Sequence, residues 1–213
     1  SYSDISGIAA TLIGMLRYAI TNGAGISGDE QARTGGLLRL AARWAADGVD
    51  FVQLREKTME AGALTALARK MVAVLEPHTK LLVNGRADVA IAAGAAGVHL
   101  TSHRDELTPG QVRRVFALAG AAVPVVSVSC HTVEDAQRAR DGGAEIIVFC
   151  PVFEKRVDGV RVAEGVGLKM LRRVCAAVAP AKVLALGGVT LGNAQRCVDA
   201  GAAGIAGIRL FGG

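Results

Sequence analysis

Eight short apolar runs, alternating with longer stretches of helical period, constrain this chain more than any other feature. The runs are RYAIT (17–21), FVQLR (51–55), KLLVN (80–84), GVHL (97–100), PVVSVS (124–129), EIIVFC (145–150), KVLAL (182–186) and GIAGIRL (204–210). Most are apolar on both faces, as expected of a parallel sheet covered on both sides. Between them, GLLRLAARWAADG (36–48) sets Leu37, Leu40, Ala41 and Trp44 along one helical face, and GALTALARKMVAVLE (62–76) does so with Leu64, Leu67, Met71 and Leu75. Thr132 followed by VEDAQRARDGG opens on a capping residue and closes on glycine. Thr190 followed by LGNAQRCVDAG repeats the design. The pattern predicts an α/β fold, a (β/α)8 TIM barrel. An open doubly wound sheet is the second choice, because no GxGxxG follows the first strand.

The barrel is expected to occupy residues 15–213. Only three residues follow Leu210, so the eighth helix is expected to be short or absent. Residues 1–14 carry apolar ISGIAATLIGM without the basic start of a signal peptide, and read as an N-terminal extension or a helix capping the barrel floor.

Composition narrows the function classes. The 213 residues suffice for a full core, and the formal charge of +5 is spread with no basic run longer than RR. Aromatics do not interleave with the basic residues, so nucleic-acid binding is not expected. The modest positive charge suits an anionic small molecule. No apolar stretch reaches the ~18 residues of a membrane span. Cys130, Cys150, Cys175 and Cys197 form no CxxC pair and fit no zinc spacing, which points to reduced thiols in a cytoplasmic protein. Homo-oligomerisation through the barrel helices stays open.

The run FVQLREK then raises a question, because a buried strand should not end in a cluster of charge. Side chains alternate along a strand. Phe51, Gln53, Arg55 and Lys57 share one parity, and Val52, Leu54 and Glu56 the other. If Val52 and Leu54 face the helices, the first set lines the barrel and rises to its C-terminal rim, where catalytic groups of such barrels sit. In PVVSVSCH, Ser127, Ser129 and His131 climb the same way, ending in an imidazole suited to proton transfer near neutral pH. Asn84 closes the third strand at the mouth. His99 is either part of the site or an inward-facing core histidine; His78 belongs to a surface loop. Gly187 and Gly188, with Gly207 and Arg209 in the last strand, suit a phosphate received by backbone N–H groups.

Taken together, YAITNG, QLREK (53–57), VNGRADVA (83–90), GVHL (97–100), SVSCHTVEDA (127–136), GAEIIVFCPVF (143–153), GVGL (165–168), ALGGVT (185–190) and AGAAGIAGIRLF (200–211) resemble the thiamine phosphate synthase/TenI family. The resemblance runs from about Tyr18 to the end, and implies a barrel acting on a thiazole phosphate of vitamin B1 synthesis. One branch joins hydroxymethylpyrimidine diphosphate to thiazole phosphate and expels pyrophosphate. The TenI branch moves a proton on a thiazole carboxylate phosphate.

The chain departs from the synthase pattern at three places. The family's Asn-Asp at the end of strand three is Asn84-Gly85, which removes a Mg²⁺ carboxylate. The next metal aspartate is matched only by Asp105, with an insertion. The Thr-Pro-Thr-Lys stretch after PVF reads EKRVDGVRVAEG, with Lys155 and Arg156 out of register and Asp158 at the lysine position. These departures favour a TenI-like tautomerase with no metal or other cofactor. In that reading His131 shuttles the proton, and Arg55 and Lys57 meet the substrate carboxylate. Gln53 and Asn84 orient the ring, while Ser127 and Ser129 hold the ligand or the tautomer of His131. Gly187, Gly188 and Gly207 bind phosphate. The alternatives are a synthase using Mg²⁺ at Asp105, and a non-catalytic thiazole-phosphate sensor working through a partner protein.

Overall fold

The computed structural model describes residues 14–103, 105–157 and 160–211. Among these are ten strands: β1 (Leu16–Ile20), β2 (Phe51–Leu54), β3 (Lys80–Asn84), β4 (Gly97–Leu100), β5 (Val125–Cys130), β6 (Ile146–Phe149), β7 (Lys155–Val157), β8 (Val160–Ala163), β9 (Lys182–Ala185) and β10 (Gly204–Gly207). The helices are α1 (Glu30–Ala46), α2 (Ala61–Leu75), α3 (Ala87–Ala93), α4 (Pro109–Leu118), α5 (Val133–Asp141), α6 (Gly167–Val178) and α7 (Ala194–Asp199). Eight strands close into a parallel barrel in the order β1-β10-β9-β6-β5-β4-β3-β2, and β7-β8 form a separate antiparallel hairpin.

Two apolar layers account for the closure. Outward residues such as Ala19, Val52, Leu54, Val98, Val126, Ile147 and Ile205 pack under the helices against Leu37, Trp44, Leu67, Met71 and Val174. Burying each large aliphatic side chain here stabilises the fold by roughly 1.5–3 kcal/mol. Inward residues Tyr18, Ile20, Leu82, Ile146, Val148, Leu184 and Ala206 fill the cylinder itself. The predicted parity of β2 therefore holds. The barrel is a packed plug with polar atoms gathered toward its C-terminal end.

Local signals explain the element ends. Thr132 caps α5 by accepting from the Asp135 N–H, and Thr108 with Gln111 forms a reciprocal capping box on α4. The C-terminal strand is tied to α1, where Trp44 Nε1 donates to the Phe211 carbonyl at 2.6 Å.

Four details differ from expectation. Asn193, not Thr190, precedes α7, and its side chain accepts from the Thr190 N–H at 2.8 Å. The run after PVF contributes two short antiparallel strands, β7 and β8, rather than a phosphate-gripping loop in the expected register; Asp158 lies outside the described residues. β10 stops at Gly207, and 208–211 are bend and turn, leaving Arg209 exposed past the strand. The N-terminal extension lies, except for Gly14, outside the described residues. Among the described residues no helix is long and apolar enough to cross a membrane.

Candidate active site

The C-terminal ends of the strands form one mouth, and ring order fixes what faces what. Counting around the barrel, β2 stands opposite β6, β3 opposite β9, and β1 opposite β5. On the β2–β3 side, Gln53 is 2% exposed and its Nε2 donates to Asn84 Oδ1 at 2.8 Å. The bond forms because the Gln53 side chain points inward while Asn84 ends the neighbouring strand two residues beyond Leu82, the register partner of Gln53. Gln53 Oε1 is buried and has no hydrogen-bond partner among the described residues. A buried carbonyl without a partner is costly, and a bound donor would relieve it.

The charges after Gln53 part company: Glu56 takes the outward side that parity gave it, whereas Lys57 shares a cleft with outward-facing Leu54 and Glu56. Glu56 turns away from the cylinder and accepts from Thr21 Oγ1 at 2.7 Å and from the Gly23 N–H at 3.0 and 3.1 Å. It thus fastens the loop after β1 to the end of β2. Thr21 Oγ1 also accepts from the Arg55 N–H at 2.9 Å. Arg55 follows β2 half-buried, and its positive charge is felt by His99 inside the barrel. Lys57 is exposed and lines a cleft of about 370 Å³ together with Asn84, Gly85 and Arg86. Two cations therefore flank the carboxamide pair.

The β4–β5 side holds what the sequence left open. His99 is 3% exposed, with Nδ1 2.7 Å from Ser127 Oγ and 3.1 Å from Tyr18 Oη, and Nε2 2.9 Å from Ser129 Oγ. Ser127 lies directly across from His99 in the β4–β5 register, and it is fully buried. Tyr18 crosses the cylinder from β1 to reach Ser127 Oγ at 3.0 Å. Burial, and after it the charge of Arg55, push His99 down to about 3, so its imidazole is neutral. Burial likewise drives the Tyr18 phenol well above its ordinary value.

The two serines thus bond His99 and not His131, one of the two partners the sequence offered them, the other being the ligand. Ser127 sits fully buried at the bottom of this network, and Ser129, half-buried above it, is the member nearest the mouth. His131 is exposed on the rim past β5, and its Nδ1 is 2.8 Å from the Cys150 carbonyl at the end of β6. Only a protonated Nδ1 can make that bond, so Nε2 carries the lone pair when the ring is neutral. All four cysteines are free thiols. Tyr18 was missed because it read as one more apolar strand residue, although a tyrosine on an inward position needs a partner for its hydroxyl.

Across the mouth, Gly187 and Gly188 follow β9 with φ of 91° and 62°. A Cβ on Gly188 would lie 2.5 Å from the Glu154 carbonyl, and one on Gly187 2.7 Å from Pro151. The pair is therefore required by contact with the PVF segment, which donates Phe153 N–H to the Gly187 carbonyl at 2.9 Å. That packing turns the loop without consuming its amides: among the described residues no acceptor engages the N–H of Gly187 or Gly188. Gly207 ends the adjacent strand β10, where it is buried.

The Mg²⁺ that the resemblance implies needs several oxygen ligands in a near-octahedral set. Gly85 supplies none, and Asp105 is exposed in the following loop. Glu106 Oε1 stands 3.9 Å from where a Cβ of Gly85 would be, but its Oε2 is engaged by the Thr101 N–H at 2.6 Å. Among the described residues no three His, Cys, Asp or Glu side chains gather to hold a metal. The end of β3 therefore offers Mg²⁺ no carboxylate of its own, and an ion bound there with substrate would take its oxygens from Glu106, water and the substrate phosphates.

Comparisons with known proteins agree with this architecture. The family model described as thiamine monophosphate synthase (TMP-TENI) matches residues 19–211. A protein named putative thiamine-phosphate synthase 2 from Aquifex aeolicus is 37% identical over 165 residues, covering 77% of this chain and 83% of that one. The thiamine-phosphate synthase of Thermus thermophilus is 35% identical over 170 residues, covering 79% and 78%. The solved thiamine phosphate pyrophosphorylase of Pyrococcus furiosus superposes with a TM-score of 0.72 at 22% identity, over 92% of this chain and 86% of that one, a likeness of fold. With a matched family model spanning nearly the whole barrel and relatives above one-third identity, the chain belongs to the thiamine monophosphate synthase (TMP-TENI) family of enzymes.

Proposed function

We propose that this enzyme is a thiamine-phosphate synthase, joining hydroxymethylpyrimidine diphosphate to a thiazole phosphate and releasing pyrophosphate. The observation that carries the reading is the opposition, across one mouth, of a hydrogen-bonded Gln53–Asn84 pair flanked by Arg55 and Lys57 to the double-glycine loop. Relatives of 35–37% identity that share this barrel bear the synthase name. This shifts the weight from the tautomerase that Gly85 and the altered loop had suggested.

In the reaction the bond from the pyrimidine methylene carbon to the diphosphate oxygen breaks, and the electron pair leaves with pyrophosphate. The thiazole nitrogen lone pair then forms the new C–N bond. Arg55 and Lys57 offset the charge that builds on the leaving oxygens. Gln53 Oε1 and Asn84 hold the heterocycle, the carbonyl accepting an N–H from it. Ser129 adds a hydroxyl from β5. The Gly187–Gly188 amides, with Gly207 beside them, receive a phosphate group.

The thiazole tautomerase keeps one specific observation in its favour, the glycine at position 85 where a carboxylate would be needed for diphosphate departure through a metal. His131, with Nδ1 held by a carbonyl, presents the basic Nε2 that such proton transfer uses. One experiment separates them. Purified protein is incubated with the thiazole tautomers, with and without the pyrimidine diphosphate. Pyrophosphate and coupled product are expected, and His131→Asn should leave them within about fivefold. Tautomer interconversion without pyrophosphate, lost roughly 10²-fold in His131→Asn, would replace the synthase by the tautomerase.

A further inference from the structure

The hydrogen bonds beneath the mouth contain a direction that the pairwise distances alone do not state. Tyr18 Oη, Ser127 Oγ and His99 Nδ1 form a closed triangle of 3.0, 2.7 and 3.1 Å, all buried. His99 Nε2 lies 2.9 Å from Ser129 Oγ. Each hydroxyl owns one proton, and a neutral imidazole carries one on either nitrogen.

Two arrangements can be counted. With the imidazole proton on Nε2, Tyr18 donates to Ser127, Ser127 donates to Nδ1, and Nε2 donates to Ser129. Every proton in the triangle then has an acceptor. With the proton on Nδ1, three protons share the triangle and only two oxygens can accept. The nitrogen donates to one oxygen and one hydroxyl donates to the other; the remaining hydroxyl has no acceptor among the described residues. A buried donor without an acceptor is strongly disfavoured. No side-chain oxygen or nitrogen of Tyr18, Ser127 or His99 is left without a partner, consistent with the first count.

We propose that Tyr18, Ser127 and His99 are positioning residues that lock the Nε2–H tautomer of His99 and thereby make Ser129 a hydrogen-bond donor to the substrate. Ser129 Oγ accepts from below, so its own proton is free to point into the mouth. The opposite tautomer would consume that proton on Nε2 and leave Ser129 with lone pairs only. The relay thus selects a substrate with an acceptor at that point, a ring nitrogen or an oxygen, and disfavours one that presents an N–H. It rests on Ser129 lying in the substrate site of the proposed synthase. The imidazole tautomer itself does not depend on that reading.

The structure also predicts redundancy. Tyr18 Oη is close enough to donate to Nδ1 when Ser127 is gone, and Ser127 donates when the phenol is gone. Tyr18→Phe and Ser127→Ala should each lower kcat/KM by less than about fivefold, and the double variant by about tenfold or more, the size of one substrate hydrogen bond. Ser129→Ala should match the double variant, and combining all three should add little. A packing role would instead give additive losses.

The decisive measurement is ¹⁵N NMR of histidine-labelled, ligand-free protein. His99 Nε2 is expected to resonate as a protonated nitrogen and Nδ1 as an unprotonated one, in the wild type and in both single variants. A protonated Nδ1 in the wild type would overturn the relay even in an active synthase. A protonated Nε2 in a protein that makes no thiamine phosphate would keep the tautomer lock and discard only the substrate reading. The wild-type spectrum decides the matter whether or not the double variant folds.

Discussion

Replacing Gln53 by leucine should separate stability from activity in opposite directions. The side chain is 2% exposed, makes one hydrogen bond through Nε2, and leaves Oε1 buried without a partner among the described residues. Loss of the bond to Asn84 costs about 1 kcal/mol, and Asn84, being half-buried, can recover part of it from water. Removal of an orphaned buried carbonyl returns roughly 1–3 kcal/mol. Leucine has a similar volume and meets an apolar floor. The net expectation is a folded state unchanged or stabilised by about 1 kcal/mol, a rise in Tm of roughly 2–4 °C for a domain of this size. Activity should fall, because the carbonyl is the acceptor held ready for the heterocycle. A loss of about 10²-fold in kcat/KM is expected from one or two missing substrate hydrogen bonds. Thermal melts and steady-state pyrophosphate release on the same preparations read both quantities. A variant destabilised by more than about 2 kcal/mol would show that Oε1 is satisfied in the free protein. Unchanged kcat/KM would show that Gln53 does not touch the substrate.

Three further perturbations follow from the same geometry. Glu56→Ala removes a charged acceptor from the buried Thr21 hydroxyl and the Gly23 N–H, and should cost roughly 2–3 kcal/mol in urea denaturation, with Glu56→Gln recovering part of it. Gly188→Ala puts a Cβ 2.5 Å from the Glu154 carbonyl at a φ of 62°, and should lower Tm and weaken pyrophosphate inhibition together; an unaffected inhibition constant would remove that loop from the phosphate site. His99 is neutral when folded, at about 3 against 6.5 unfolded, so the unfolded chain binds more protons between those values. Stability on its account therefore rises with pH from about 3 to 6.5, by up to roughly 1.4 kcal/mol per pH unit, and is level above. His99→Gln should flatten that slope in pH-dependent denaturation, and an unchanged slope would refute the assignment.

The barrel was legible because its signals are local and repeated. Eight apolar runs at regular spacing leave few topologies, and the parity of FVQLREK correctly separated Val52 and Leu54 from Gln53. The charge cluster that posed the question resolves into a half-buried Arg55, Lys57 at a side cleft and Glu56 as a loop fastener. The fastening was not readable, since Thr21 and Gly23 meet Glu56 only through β1–β2 pairing. The shared partner of the serines was missed for a similar reason. Ser127, Ser129 and His131 are close in sequence and share a parity, but the register of the neighbouring strand sets His99 beside the serines. Thr190 looked like a copy of Thr132, yet the extra turn through Asn193 was decided by the Asn193 carboxamide rather than by the threonine.

The most direct test is a single incubation of the purified chain with hydroxymethylpyrimidine diphosphate and thiazole phosphate in buffer containing Mg²⁺. Stoichiometric pyrophosphate and thiamine phosphate, with both reduced about 10²-fold in Gln53→Leu, are the expected products. Absence of pyrophosphate at saturating concentrations of both substrates, from folded protein, would contradict the assignment of this mouth to carbon–nitrogen bond formation.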